Sequence, residues 1–222
     1  INSNKISILP NGVDGNKIIK LTKDMSLINK YKLNNSIVIG YIGAFVDYEG
    51  LDYLIQSVRN LVDQGIEKFK VIIVGDGKIA ANLKLLINKL NISDKVILTG
   101  KVPHEDVNKY YSIMDILVYA RKGFEVCELV SPLKPLEAMA MNKAVIVSDV
   151  QALKEMIINN ETGLIHQKDN IDDLTEKLIK LIQSKELRNK LSNNAHNWVL
   201  ENRTWESISN IVNNKYIELI GK

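Results

Sequence analysis

Six short apolar runs, continuous rather than alternating, constrain this chain more than any other feature. They are Ile37–Gly43, Phe69–Val74, Val96–Thr99, Ile116–Ala120, Ala144–Ser148 and Leu164–His166. A strand that is apolar at successive positions has both of its faces covered. Stretches with helical spacing lie between these runs: Gly50–Leu61, Ile79–Leu90, Glu105–Ile113, Pro135–Met141 and Leu153–Ile158. Strand–helix alternation predicts an α/β fold with a doubly wound parallel sheet, Rossmann-like in kind. The last third changes character. Ile171–Ser184, Glu186–Glu201 and Thr204–Ile220 read as three helices with brief breaks. Trp198 and Trp205 fall in these helices, where core packing is expected, Trp205 anchoring the last one. No repeat or linker divides the chain, so residues 1–222 read as one domain.

Bulk properties exclude several classes. A formal net charge of +3, without a dense basic run, argues against nucleic acid as a partner. The single Cys127 excludes an internal disulfide and fits a reducing compartment. No apolar stretch is long enough to span a bilayer. His104, His166 and His196 are scattered, so no metal site is expected. Nothing near Cys127 supplies a base for a thiolate nucleophile. The chain opens on Ile1 and a polar stretch, INSNKISILPNGVD, which we read as the middle of a longer protein.

Ligands of such sheets bind beyond the carboxyl ends of the strands. The informative residues are therefore Gly43–Gly50, Gly75–Lys78, Gly100–Pro103, Arg121–Lys134 and Asp149–Gln151. Gly75-Asp-Gly77-Lys-Ile-Ala80 formally fits a dinucleotide fingerprint. That fingerprint needs an acid at the end of the next strand, where Thr99-Gly100-Lys101 stands instead. A tight turn is the better reading, either a plain strand-to-helix turn or one that lets backbone approach a ligand. The segment from Tyr119 to Glu137 is richer. A loop of about 14 residues after a core strand is uncommon unless it has a function. It carries Arg121, Lys122, Glu125, Glu128 and Lys134, and it leads into a helix with Pro135 and Glu137 in its first turn. Free N–H groups at that helix start, beside the charge of Lys134, could hold a diphosphate. Glu137 could equally be an ordinary dipole-stabilising acid.

The run Pro135-Leu-Glu-Ala-Met-Ala-Met-Asn-Lys-Ala-Val-Ile-Val-Ser-Asp149 resembles the signature stretch of group 1 (family 4) glycosyltransferases. Other pieces agree in order. They are Pro10-Asn-Gly-Val-Asp14, Ile42-Gly43, Glu49-Gly-Leu-Asp-Tyr-Leu-Ile55, Val74-Gly-Asp-Gly77, Leu98–Pro103, Tyr110-Tyr111, Asp115-Ile-Leu-Val118, Glu161-Thr-Gly-Leu164 and Thr204-Trp205. The resemblance covers nearly the whole chain. It implies a GT-B architecture of two Rossmann-like domains, of which this chain matches the C-terminal, nucleotide-sugar-binding one. The implied reaction transfers a sugar from a nucleotide-diphosphate donor to a glycan or lipid-linked acceptor with retention of configuration. It needs no metal or further cofactor.

The implied roles carry over residue by residue. Glu137 matches the carboxylate that accepts from the ribose hydroxyls, and the N–H groups near Leu133 and Lys134 match those facing the diphosphate. Lys101 and Val102 match the loop whose backbone meets the base. Gly43, Ala44, Gly75 and Gly77 line the two donor-side loops. Glu128 matches the acid that holds the transferred sugar, with Glu125 in reserve, because eight residues rather than the usual seven separate Glu128 from Glu137. Ala44 and Glu49 stand where the family carries an arginine and a lysine. Arg121 and Lys134 are the expected substitutes for that charge at the leaving group. The resemblance also implies a missing N-terminal domain that recognises the acceptor and makes any membrane contact. The expected location is the cytoplasm, up to the inner face of the membrane. The alternatives are a same-architecture phosphorylase or epimerase and a noncatalytic nucleotide-sugar-binding subunit of a split transferase.

Overall fold

The computed structural model describes residues 6–15 and 22–220, so the first residues of the polar opening stretch lie outside it. The six apolar runs form one parallel sheet: β1 Ile37–Ile42, β2 Phe69–Val74, β3 Val96–Gly100, β4 Ile116–Tyr119, β5 Ala144–Ser148 and β6 Leu164–His166. The sheet order is β3-β2-β1-β4-β5-β6, and every pairing is parallel. β2 and β5 are buried almost throughout, as continuous apolar strands require when both faces are covered.

Helices cover both faces. In chain order they are α1 Met25–Lys30, α2 Leu51–Asp63, α3 Ala80–Lys89, α4 Val107–Ile113, α5 Glu125–Leu129, α6 Lys134–Ala140, α7 Gln151–Lys154, α8 Ile171–Gln183, α9 Lys185–Asn202 and α10 Trp205–Ile220. α2 packs against α3 and α8, while α6 packs against α9 and α1 against α4. Local chemistry fixes the helix starts. Asp24, Asn170 and Ser184 cap α1, α8 and α9 through side-chain oxygens that accept from backbone N–H groups.

Sheet order sets where a ligand can sit. From β1 the chain runs outward to β2 and β3, then returns to β4 and runs the other way. The loops after β1 and β4 therefore part at the carboxyl edge, which makes the topological switch point of the sheet.

Three expectations need correction. The loop after β4 is not irregular throughout, because α5 forms within it around the fully buried Cys127. The helix expected at Leu153–Ile158 starts earlier and is short. It begins after Val150, and the chain then turns to bury Met156 and Ile157. Trp205 is not a core residue. It is 52% exposed, and α10 is anchored by its neighbours instead. Val13 and Thr204 form a parallel bridge, Thr204 Oγ1 accepts from Ser207 N at 3.1 Å, and Ile208 buries against Gly12.

Candidate nucleotide-sugar site

Backbone hydrogen bonds tie together three loops at the carboxyl edge. Gly43 N donates to Val74 O at 2.9 Å, and Phe45 N donates to Asp76 O at 2.9 Å. Gly75 N donates to Gly100 O at 3.1 Å. Gly75 has a φ of 137°, and a Cβ there would run into Gly43 O. A Cβ on Gly77 would run into Phe45 O. The glycines of the formal fingerprint thus admit the neighbouring β1 loop, so chain approaches chain.

A buried charge cluster sits at the switch point. Glu49 ends a short 3-10 turn, Asp47–Glu49, and is only 4% exposed. Gly50 follows at φ 70°, and a Cβ there would collide with Ala120 O, so glycine lets the β1 and β4 loops touch. Across that contact, Arg121 Nη2 lies 2.9 Å from Glu49 Oε1. Its Nη1 donates to Val130 O at 2.8 Å, and its guanidinium stands over the Tyr48 ring. Arg121 was expected to face the leaving group. It is buried and committed to Glu49 and Val130, so it offers no open face to a ligand.

Lys134 differs. Its amine lies 3.9 Å from the same Glu49 Oε1, 3.4 Å from Tyr41 Oη, and against Gly43, where any Cβ would displace it. Its side chain keeps 30% exposure. One carboxylate therefore serves two cations, and one net positive charge remains on the more exposed of them. Burial pulls the Lys134 amine below the ordinary lysine range; Glu49 pushes it back up and Arg121 adds to the depression. α6 has only seven residues, so its dipole is small and the full charge of Lys134 dominates this end.

Sequence reasoning missed the tyrosines that build this corner. Tyr41 Oη donates to Ala44 O at 3.1 Å, and Tyr119 Oη donates to Lys134 O at 2.8 Å. Tyr111 Oη donates to Glu137 Oε2 at 3.2 Å. Burial raises the hydroxyl pKa of all three, so they remain donors. Each fixes one segment of the candidate site: the β1 loop, the start of α6, and Glu137. For Tyr41 in β1 and Tyr119 in β4 the available signal was a tyrosine within an aliphatic strand, since a buried hydroxyl needs a partner; Tyr111, in α4, carried no such signal.

Glu137 and Leu133 are exposed and line a groove of about 380 Å³ that also meets Tyr111, His104, Glu105 and Trp205. The β3 loop reaches this groove through His104 and Glu105, just beyond the expected Lys101 and Val102. Glu128 lies elsewhere. It pairs with Lys168 and accepts from Gln151 N at 2.6 Å, at the start of α7. These contacts pull its carboxyl below the usual range. Around it, Gly123 N donates to Asp169 at 3.1 Å, and Lys122 pairs with Asp52 at 2.8 Å. The structure thus gathers Gly43, Glu49, Arg121 and Lys134, sets Glu137 and Leu133 on the same short helix start, and pairs Glu128 with Lys168.

The family profile described as glycosyl transferases group 1 matches residues 26–198. This chain belongs to the group 1 glycosyltransferases. A capsular polysaccharide biosynthesis glycosyltransferase, CapM of Staphylococcus aureus, is 30% identical over 236 residues, which cover 99% of this chain and 58% of that protein. A glycosyltransferase structure from Rickettsia africae superposes with a TM-score of 0.83 at 23% identity, over 99% of this chain and 59% of that one. Anabaena HepE, solved with UDP and glucose, gives a TM-score of 0.82 at 17% identity, over 96% of this chain and 57% of that one. The chain spans about half the length of the curated relatives it matches. The matched span includes Pro135–Asp149, which follows Lys134 through α6 and β5.

Proposed function

We propose that this chain is the donor-binding domain of a retaining glycosyltransferase and binds a nucleotide-diphosphate sugar at the switch point. The carrying observation is Lys134, whose half-buried amine lies against Gly43 beside Glu49, with Glu137 one turn along α6 at an open groove. In this reading Lys134 stabilises the negative charge that develops on the leaving diphosphate. The backbone of Gly43, Ala44 and Leu133 faces the diphosphate, and Glu137 accepts from the ribose hydroxyls. Gly75 and Gly77 hold the β1 loop from behind, and the base stacks along the β3 loop from Lys101 and Val102 to His104. No metal or cofactor enters the scheme.

The solved HepE complex with UDP and glucose supports a uridine donor as the first one to try. The capsular polysaccharide role of CapM supports a glycan or lipid-linked acceptor. Acceptor binding and much of the catalytic machinery belong to an N-terminal domain, in keeping with relatives about twice as long. The outer face of α10, with Ile217, Leu219 and Ile220 exposed, suits such a partner. No helix among the described residues is long and apolar enough to cross a membrane. The proposed location is cytoplasmic, with any contact at the inner membrane face made by the first domain.

The test is a thermal-shift panel of UDP-, GDP- and ADP-linked sugars and NAD on this chain. One nucleotide-sugar class should raise the melting point, because it binds only the folded state. A rise with NAD alone, or with none of them, overturns the reading. A second reading, a noncatalytic nucleotide-sugar-binding subunit, draws on Glu128, whose carboxylate is already engaged by Lys168 and Gln151. Sugar transfer by the chain joined to a first domain would exclude it; the chain alone should transfer little or none.

A further inference from the structure

The buried carboxylate at the switch point poses a problem. A diphosphate site gains from positive charge, yet Glu49 places a negative charge 3.9 Å from the Lys134 amine. Glu49 is nearly fully buried at the end of a three-residue 3-10 turn, and the desolvation of a charge in such a place is costly unless partners offset it. Two partners do. Arg121 reaches Glu49 from the end of β4, and Lys134 reaches it from the start of α6.

We propose that Glu49 is a positioning residue that holds the Lys134 amine over Gly43 in its charged form, while Arg121 anchors Glu49. This rests on the donor-binding reading above and adds to it the means by which Lys134 is aimed and kept charged. The groups facing the amine come from every element around it: Glu49 from the 3-10 turn, Arg121 from the end of β4, Tyr41 from β1 and Glu137 from α6. Desolvation and Arg121 favour the neutral amine, whereas Glu49 and Glu137 favour the charged one. Tyr41 Oη is uncharged and fixes the direction of approach. It also holds Ala44 O, so amine and β1 loop are set by the same side chain. Arg121 is too enclosed to supply the charge itself, and its bond to Val130 O ties the loop after β4 to the same carboxylate.

The two members of the buried pair should act on Lys134 in opposite directions. Glu49→Gln removes the group that favours the charged amine, and Arg121→Gln removes one that opposes it. Damage to the fold alone would not produce opposite signs. The Lys134 titration is followed by NMR of lysine-labelled chain, with the resonance assigned through Lys134→Arg. UDP affinity is measured by calorimetry from pH 6 to pH 10 on the same variants. E49Q should lower the Lys134 midpoint by about one pH unit, as loss of a charge this close does, and R121Q should raise it. UDP binding by E49Q should then fall about tenfold at a pH between the two midpoints. If either single variant fails to fold, E49Q/R121Q replaces the ion pair with a neutral one of similar size. The amine of that variant should titrate between the wild type and E49Q. Midpoint shifts of the same sign, or none, overturn the proposal. Absence of UDP binding by the wild type, with the opposite shifts intact, overturns the donor-binding reading and leaves the charge coupling standing.

Discussion

Two acidic side chains of the same site region differ sharply in how they are held. Glu49 is 4% exposed, paired to Arg121, and enclosed by loops that glycines allow to touch. Glu128 rides on the five-residue α5, with side-chain exposure of 30%, and its partners are Lys168 of the β6–α8 connection and Gln151 N at the start of α7. Phe124, Leu129 and Val130 are exposed on the same segment. A buried charge that loses its partner pays its full desolvation cost, whereas an exposed one returns to water. The Glu49 corner is thus fixed in place before any ligand arrives. The Glu128 segment holds its present contacts cheaply and can exchange them.

That contrast can be broken by substitution. Arg121→Met should be the most damaging change, costing about 3–5 kcal/mol of stability, because it leaves Glu49 buried with Lys134 as a distant partner. Urea unfolding checks it, and Glu49→Leu combined with Arg121→Met should recover most of the loss. If R121M unfolds like the wild type, the corner is not a preset unit. Gly75→Ala should cost about 1–3 kcal/mol, since the φ of 137° and the contact with Gly43 O both resist a Cβ. A smaller cost would mean that the loops are not tied as tightly as their hydrogen bonds indicate. At the small end, Lys168→Met should leave the unfolding midpoint within error while speeding proteolysis between Phe124 and Ser131. A large loss of stability would make Glu128 a structural residue and erase the contrast.

Sequence gave access to the fold for a clear reason. β1 to β6 are apolar on consecutive positions, and each ends near a glycine or a polar residue, so strands and sheet class follow from periodicity alone. The nearness of Lys134 and Glu137 to each other was also legible, because they stand in one short segment beside Pro135. The role of Arg121 was not. Its partner Glu49 lies 72 residues away, and only the order of β1 and β4 in the sheet brings them together. Glu49 itself read as a missing cation, because sequence spacing says nothing about what stands across a loop. The partner of Glu128 was hidden for the same reason, since Lys168 comes from the β6–α8 connection. α5 escaped notice because five residues with apolar side chains on both sides carry no helical period. Trp205 was misplaced because its size suggests a core residue, while Ile208 fills that position.

The central claim is that Lys134 supplies a usable positive charge at the switch point. Its sign in pH is fixed: the amine is pulled below the ordinary lysine range by burial, so affinity for an anionic diphosphate should fall as pH rises through that lowered midpoint. The most direct measurement is a calorimetric titration of UDP into the wild-type chain and into Lys134→Met at neutral pH. The account predicts binding to the wild type that weakens about tenfold or more in K134M, the loss of one charge-assisted contact. Equal affinity in the two proteins would contradict it.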